Sequence, residues 1–200
     1  MRLSILAGGH SPGQKALLAL AALAAGGRLP EPIRVLSYRR ELFGADFAAC
    51  VEEALRGSQH WSQGEAELFA AFVSQLNDCK YCAQTHAAVA ARGLGDEPLV
   101  AAVLADWRAA PLDEKLRAML GLLEQVTLHP GALGPADMAP LRAAGLGDQA
   151  IEEALYVAFV INVMDRLADA FDFDLPAAAE LRRYARLAQW LGYGTISLPG

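Results

Sequence analysis

The stretch ELFAAFVSQLNDCKYCAQTHAAVAARG, residues 67–93, decides how the chain folds. It reads as two apolar helical runs separated by Asn77-Asp78, where either polar side chain can cap a new helix beginning at Cys79. Cys79, Cys82 and His86 recur at i, i+3 and i+7, so on a helix they share one face, which Val89 and Ala90 continue as a buried stripe. On the preceding run Glu67 is grouped with Ala70, Ala71 and Ser74, small residues that let another helix approach closely. If the chain turns back at Asn77-Asp78, Glu67 lies roughly 13 Å below the turn and His86 about as far below it on the next helix. The carboxylate and the imidazole then come level.

Three cysteines are present in all, and two of them stand only three residues apart. At the start of a helix, unpaired backbone N–H groups and the macrodipole favour thiolate over thiol, and two sulfurs at this spacing can close a disulfide. His86 sits one turn beyond Cys82, where its imidazole can accept the thiol proton and later return it to a leaving oxygen. Glu67 would orient that imidazole. Which sulfur attacks is argued both ways: closeness to the helix start favours Cys79, and spacing to His86 favours Cys82. A neighbouring base can return a proton to a leaving oxygen and a dipole cannot, so the expectation falls on Cys82.

The competing use of these donors is zinc, since thiolates and imidazole are its usual ligands. A fourth ligand would have to be His10, His60, His129, Cys50 or a carboxylate, and none is spaced as a second half-site. No metal and no other cofactor is expected. Cys50 reads as a small buried hydrophobe. Asn162, Asp165 and Arg166 interrupt the apolar run ALYVAFVINVMDRLADAF and read as a buried hydrogen-bonded pair holding helices in register, with a wall of the pocket as the alternative. His60-Trp61 reads as a loop over a helix end, and Tyr81 as a residue shaping access to the thiols.

The rest of the chain is punctuated like an all-α protein. Helices are expected at 12–25, 32–37, 45–56, 63–76, 79–92, 97–107, 113–128, 136–144, 148–171 and 176–191, with capping boxes at Ser11/Gln14 and Ser62/Glu65. A loose echo between ELFAAFVSQLNDCKYC and EALYVAFVINVMDRLA (153–168) leaves open two structurally similar halves within one domain spanning 1–200. Of the 200 residues 54% are apolar and the net charge is −6, with no cluster of the 17 Lys and Arg, which argues against a nucleic-acid surface. The segment KALLALAALAAGG (15–27) is too short to span a bilayer, and its helix-start signal argues against a signal peptide. Sparse cysteines fit a reducing cytoplasm rather than a stapled secreted domain. The runs LLALAALAA and VAAVLADW offer more apolar face than one small core needs, which predicts a homo-oligomer.

Glu67, eleven intervening residues, then Cys79, Cys82 and His86 as CxxCxxxH resembles the signature of the alkylhydroperoxidase D (AhpD)-like branch of the carboxymuconolactone decarboxylase superfamily. With RRELFG (39–44) upstream and INVMDRLADAF (161–171) downstream, the similarity runs from about 30 to 175 and is greatest to the peroxidase-related group. The resemblance implies an AhpD-like helical bundle that is obligately oligomeric, a trimer or a hexamer. It also implies a hydroperoxide substrate, an external dithiol reductant, a peroxide-attacking Cys82 and a resolving Cys79. Tyr81 stands where the family's namesake has a histidine immediately before its second cysteine. Two other readings stay open: a carboxymuconolactone decarboxylase-type enzyme, whose branch lacks the cysteine pair, and a helical oligomer with a redox-sensing or metal-binding CxxC.

Overall fold

The computed structural model describes residues 1–41 and 45–194; Leu42, Phe43 and Gly44 of the RRELFG segment lie outside the described residues. The described residues form helices and turns and no strand. In chain order the helices are α1 (Ser4–Gly8), α2 (Pro12–Ala24), α3 (Glu31–Tyr38), α4 (Ala45–Arg56), α5 (Gln63–Leu76), α6 (Lys80–Leu94), α7 (Glu97–Asp106), α8 (Glu114–Leu128), α9 (Ala139–Ala143), α10 (Asp148–Phe171) and α11 (Ala178–Leu191).

The start signals act as read. The Ser11 side chain accepts from the Gln14 backbone and Ser62 from Glu65, each closed by the return bond of a capping box. Asp96 and Asp113 cap α7 and α8 through side-chain bonds to the backbone N–H groups of Leu99 and Leu116. One expected helix does not form as drawn: 136–144 is divided into a 3₁₀ turn at Pro135–Met138 and the short α9. Pro140 has no N–H to give to a helix interior and is accommodated only in a first turn, so the helix restarts there.

Helix α5 is the axis of the fold. Ten of its fourteen residues are buried, from Gly64 through Ser74, which is the pattern of a helix surrounded on all sides. Around it Leu55, Leu68, Phe69, Val73, Met119, Leu120, Leu123, Val157 and Ile161 form the main core. Trp61 in the loop before α5 stacks edge-on against Phe69 and donates its indole N–H to the Ala150 carbonyl at 2.7 Å, while His60 meets Glu153 at 2.9 Å. This loop therefore fastens α5 to the first turns of α10.

The hairpin of α5 and α6 is closed at both ends. Below, the two backbones touch at Gly64 and Gly93: a Cβ at Gly64 would lie 2.8 Å from Leu94, and one at Gly93 would lie 2.9 Å from the Gly64 Cα. Above, Asn77 caps α5, Asp78 takes the left-handed conformation at φ 57, and Cys79 is the N-cap of α6.

One expectation changes. Cys50 is exposed, because α4 buries Ala48, Val51, Ala54 and Leu55 and so turns position 50 outward. The echo of residues 67–82 and 153–168 covers unlike settings: the first segment breaks at Asn77-Asp78, and the second runs on inside unbroken α10. No helix among the described residues is long and apolar enough to cross a membrane.

Candidate functional site

The α5–α6 hairpin brings Glu67 and His86 to the same height. His86 Nδ1 lies 2.7 Å from Glu67 Oε2, and because a carboxylate can only accept, Nδ1 carries the hydrogen and Nε2 is the nitrogen left open. Glu67 is completely enclosed, 1% exposed, and has two further partners that its own helix does not supply. Arg56, at the end of α4, places its guanidinium 2.7 Å from Oε1, and Tyr193 donates its hydroxyl to the same oxygen at 2.8 Å. The Arg56 guanidinium also lies over the Tyr193 ring at 4.8 Å. Burial opposes ionisation of Glu67, but His86, Arg56 and Tyr193 together outweigh it and hold the carboxyl below its usual range. Burial, with Glu67 adding to it, pushes the Tyr193 phenol well above its usual range, so it stays a donor.

Both thiols of the pair are buried and free. Cys79 sits in a small apolar cluster with Leu36, Tyr81, Met164, Ala168 and Phe173, and Cys82 belongs to the same cluster. Cys82 alone of the two also lines a cavity of about 360 Å³. Its walls come from α2, α3, α4, α6, α10 and α11 and are almost wholly apolar, with His86, Thr85 and the aromatic residues Tyr81, Tyr184 and Tyr193 as the polar exceptions. Tyr81 is buried, its hydroxyl accepting from the Glu31 backbone N–H at 3.0 Å and its ring edge-on to Phe173. It is a wall of the cavity, and burial pushes its phenol far up.

A second carboxylate completes the site. Asp165 on α10 is fully buried; its oxygens accept from Ser74 Oγ at 2.9 Å and Asn77 Nδ2 at 2.7 Å. Asn77 also donates to Asn162 Oδ1 at 3.0 Å. The expected buried hydrogen-bonded contact holding helices in register is present between α10 and the end of α5, made by Asp165 and Asn162 with neutral donors, while Arg166 is exposed. Cys79 Sγ, Cys82 Sγ and an Asp165 oxygen all lie within 4.8 Å of one another.

That neighbourhood reverses the sign expected for the thiol. The hydrogen bond with Cys79, then burial, then the negative charge of Asp165 push Cys82 well above the ordinary cysteine range. A helix N-terminus contributes only about 0.3–1 kcal/mol toward the thiolate, too little to offset enclosure beside a carboxylate. Asp165 is itself raised by burial, with Asn77, Ser74 and Cys82 drawing it partly back.

The donors Cys79, Cys82 and Asp165 are the one group among the described residues close enough to share a metal ion. They are one short of the four ligands of a closed zinc site, and no histidine among the described residues joins that close group.

Arg56 and Tyr193 were not found by sequence reasoning, since neither carries a local pattern and both reach Glu67 across the fold. Asp165 was noticed as a polar break in an apolar run, which is the signal a buried functional carboxylate leaves.

No family model matches the chain, and none of the curated proteins matches it. Among solved structures it is similar to an uncharacterized peroxidase-related protein from Silicibacter sp. TM1040, 25% identical with a TM-score of 0.75, over 88% of this chain and 92% of that one. It is similar also to a protein from Ralstonia eutropha JMP134 described as an alkylhydroperoxidase AhpD core and an uncharacterized peroxidase-related protein, 19% identical with a TM-score of 0.73, over 90% and 93%. A debrominase in its apo form shares the fold at 18% identity and a TM-score of 0.69, over 88% and 95%. The all-helical architecture is therefore AhpD-like, the fold of the peroxidase-related proteins it matches.

Proposed function

We propose that the chain is a thiol-dependent hydroperoxide reductase that works through a dithiol–disulfide cycle. The observation that carries this reading is the placement of Cys82: of the buried pair it alone faces the apolar cavity, and it shares that cavity with the open nitrogen side of the His86–Glu67 pair. A hydroperoxide in the cavity would meet the Cys82 sulfur with its distal oxygen. The S–O bond forms, the O–O bond breaks, and the proton lost by the Cys82 thiol reaches the departing alkoxide through Nε2 of His86, which Glu67 orients. Cys79 then attacks the sulfenic acid from behind, closing the disulfide and releasing water. An external dithiol resets the site.

The enclosure of the pair supports a reductant that is small or slender enough to reach sulfur through the cavity. We assign the whole chain to one domain that acts in a reducing cytoplasm as a homo-oligomer, a trimer or a hexamer, because α2 has no buried residue of its own and leaves Leu17, Leu20 and Leu23 exposed.

The test is consumption of cumene hydroperoxide by the reduced protein with dihydrolipoamide as electron donor. Turnover that disappears in both Cys79→Ser and Cys82→Ser supports the reading. Oxidation of the pair without turnover would leave a redox sensor, and no oxidation at all would end the proposal.

A further inference from the structure

We propose that Asp165 is the proton acceptor for the Cys79–Cys82 dithiol, a catalytic residue beyond the cysteines, His86 and Glu67. The inference rests on the hydroperoxide reading above for its chemistry, but its geometry stands on its own.

Deprotonating a buried thiol requires a base in contact with it. His86 is turned to Glu67 through Nδ1, and it is not part of the close group formed by the two sulfurs and Asp165. An Asp165 oxygen lies within 4.8 Å of both sulfurs. Its side chain is fixed by Ser74 and Asn77, two donors from α5 that leave it no conformational freedom. The groups that bear on it are Ser74 and Asn77 from α5 and Cys79, Cys82 and, at longer range, His86 from α6. Among the described residues no Arg or Lys forms an ion pair with its oxygens, whose partners are Ser74 and Asn77. A carboxylate enclosed with neutral donors, rather than paired with a cation, is a stronger base than one in a salt bridge.

The steps balance as follows. In the first, the Cys82 thiol proton moves to the Asp165 carboxylate while the sulfur electron pair forms the S–O bond. The O–O bond breaks, its electron pair leaves on the alkoxide, and the thiol proton passes from Asp165 through water and His86 Nε2 to complete the alcohol, which returns Asp165 to the carboxylate. In the second, Asp165 takes the Cys79 proton as that sulfur forms the S–S bond; the S–O bond breaks, and the same proton goes to the departing hydroxide as water. Cys82 is oxidised, the hydroperoxide is reduced, and Asp165 ends as it began.

The experiment separates a base from a mere charge, because the two have opposite consequences. In Asp165→Asn a negative neighbour is lost, so the ultraviolet thiolate absorbance of Cys82 should titrate at lower pH than in the wild type. If Asp165 were only a charge, single-turnover oxidation by cumene hydroperoxide at neutral pH would then be as fast or faster, and the proposal would be overturned. As the base, its loss should slow oxidation by about 10²–10⁴-fold despite the more acidic thiol, with part of the rate recovered in Asp165→Glu. Should Asp165→Asn lose its near-ultraviolet dichroism, Ser74→Ala decides. Removing one donor from the carboxylate must move the rising limb of the pH–rate profile to higher pH, and an unmoved limb refutes the assignment. If the wild type consumes no hydroperoxide, the reading of function fails, while reaction of Cys82 with a small aromatic disulfide puts Asp165→Asn to the same comparison of rate against thiol titration.

Discussion

Tyr193 donates its hydroxyl to Glu67 Oε1 at 2.8 Å, across 126 residues of sequence. The bond closes a ring of three partners around one carboxylate, two of which come from outside the hairpin that carries the thiols. Tyr193→Phe keeps the ring under the Arg56 guanidinium and removes only the hydroxyl. The loss should be about 1.5–3 kcal/mol, as for hydrogen bonds to charged groups, read from urea unfolding. An unchanged midpoint would mean that water replaces the phenol.

Arg56 and Glu67 form a buried ion pair, their side chains 8% and 1% exposed. Removing one partner leaves the other charge enclosed, so Arg56→Met should cost about 3–5 kcal/mol. The sign with pH follows from the lowered carboxyl. The unfolded chain takes up the Glu67 proton first, at the ordinary glutamate range of about 4.3. Stability from this group is therefore complete above that range and is lost as pH falls through the lower, folded value. Glu67→Gln should flatten the acid limb of stability measured between neutral pH and about pH 3, and an acid limb unchanged by the substitution would refute the role of Glu67.

The two cysteines should separate by a trapping experiment. Cys79→Ser should still be oxidised once, to a sulfenic acid on Cys82 that dimedone captures, and should not turn over. Cys82→Ser should not undergo the first oxidation. An adduct found by mass spectrometry on Cys79 in Cys82→Ser, with none on Cys82 in the reverse variant, would exchange the two roles.

The contact of Gly64 with Gly93 leaves no room for a methyl group on either helix. Gly64→Ala should destabilise by about 1–3 kcal/mol, the usual range for overpacking. Because both backbones must separate, it should also weaken the Glu67–His86 bond one to two turns away, seen as a change in the His86 imidazole resonances. Loss of stability without that change would confine the strain to the lower end of the hairpin.

Assembly is tested by light scattering. The exposed Leu20 and Leu23 of α2 and Trp190 and Leu191 of α11 belong to helices that also wall the cavity. Leu20→Glu with Leu23→Glu should lower the molar mass toward that of one chain. A wild-type protein that stays monomeric at micromolar concentration would overturn the expectation.

The hairpin was legible because its information is local. Helical spacing put Cys79, Cys82 and His86 on one face, and counting back from the Asn77-Asp78 turn put Glu67 level with His86, so four residues within one 27-residue stretch defined their own geometry. The state of the thiol was not legible, because it depends on Asp165 arriving from α10 and on how completely the sulfurs are enclosed. Nor were Arg56 and Tyr193, whose approach to Glu67 is decided by how α4 and the end of α11 pack. Cys50 was misplaced for a smaller reason: a cysteine's habit of burial yielded to the stripe of Ala48, Val51 and Leu55 that faces the core. The 136–144 helix failed on Pro140, whose missing N–H outweighed an otherwise helical composition.

The cavity is assembled differently from the hairpin beside it. Its walls are tied by long-range contacts, such as those of Arg183 and Tyr184 with the Arg28 carbonyl, 155 and 156 residues away in sequence. Short-range contacts close early and at little entropic cost, and distant ones close late. The spacing of the sulfurs is set locally at the start of α6, and no wall residue on α2 or α11 is needed for it. The shape and chemistry of the chamber can therefore be remodelled from the two ends of the chain while the thiols keep their geometry, a division that lets one helical scaffold exchange the molecule it admits without relearning the reaction.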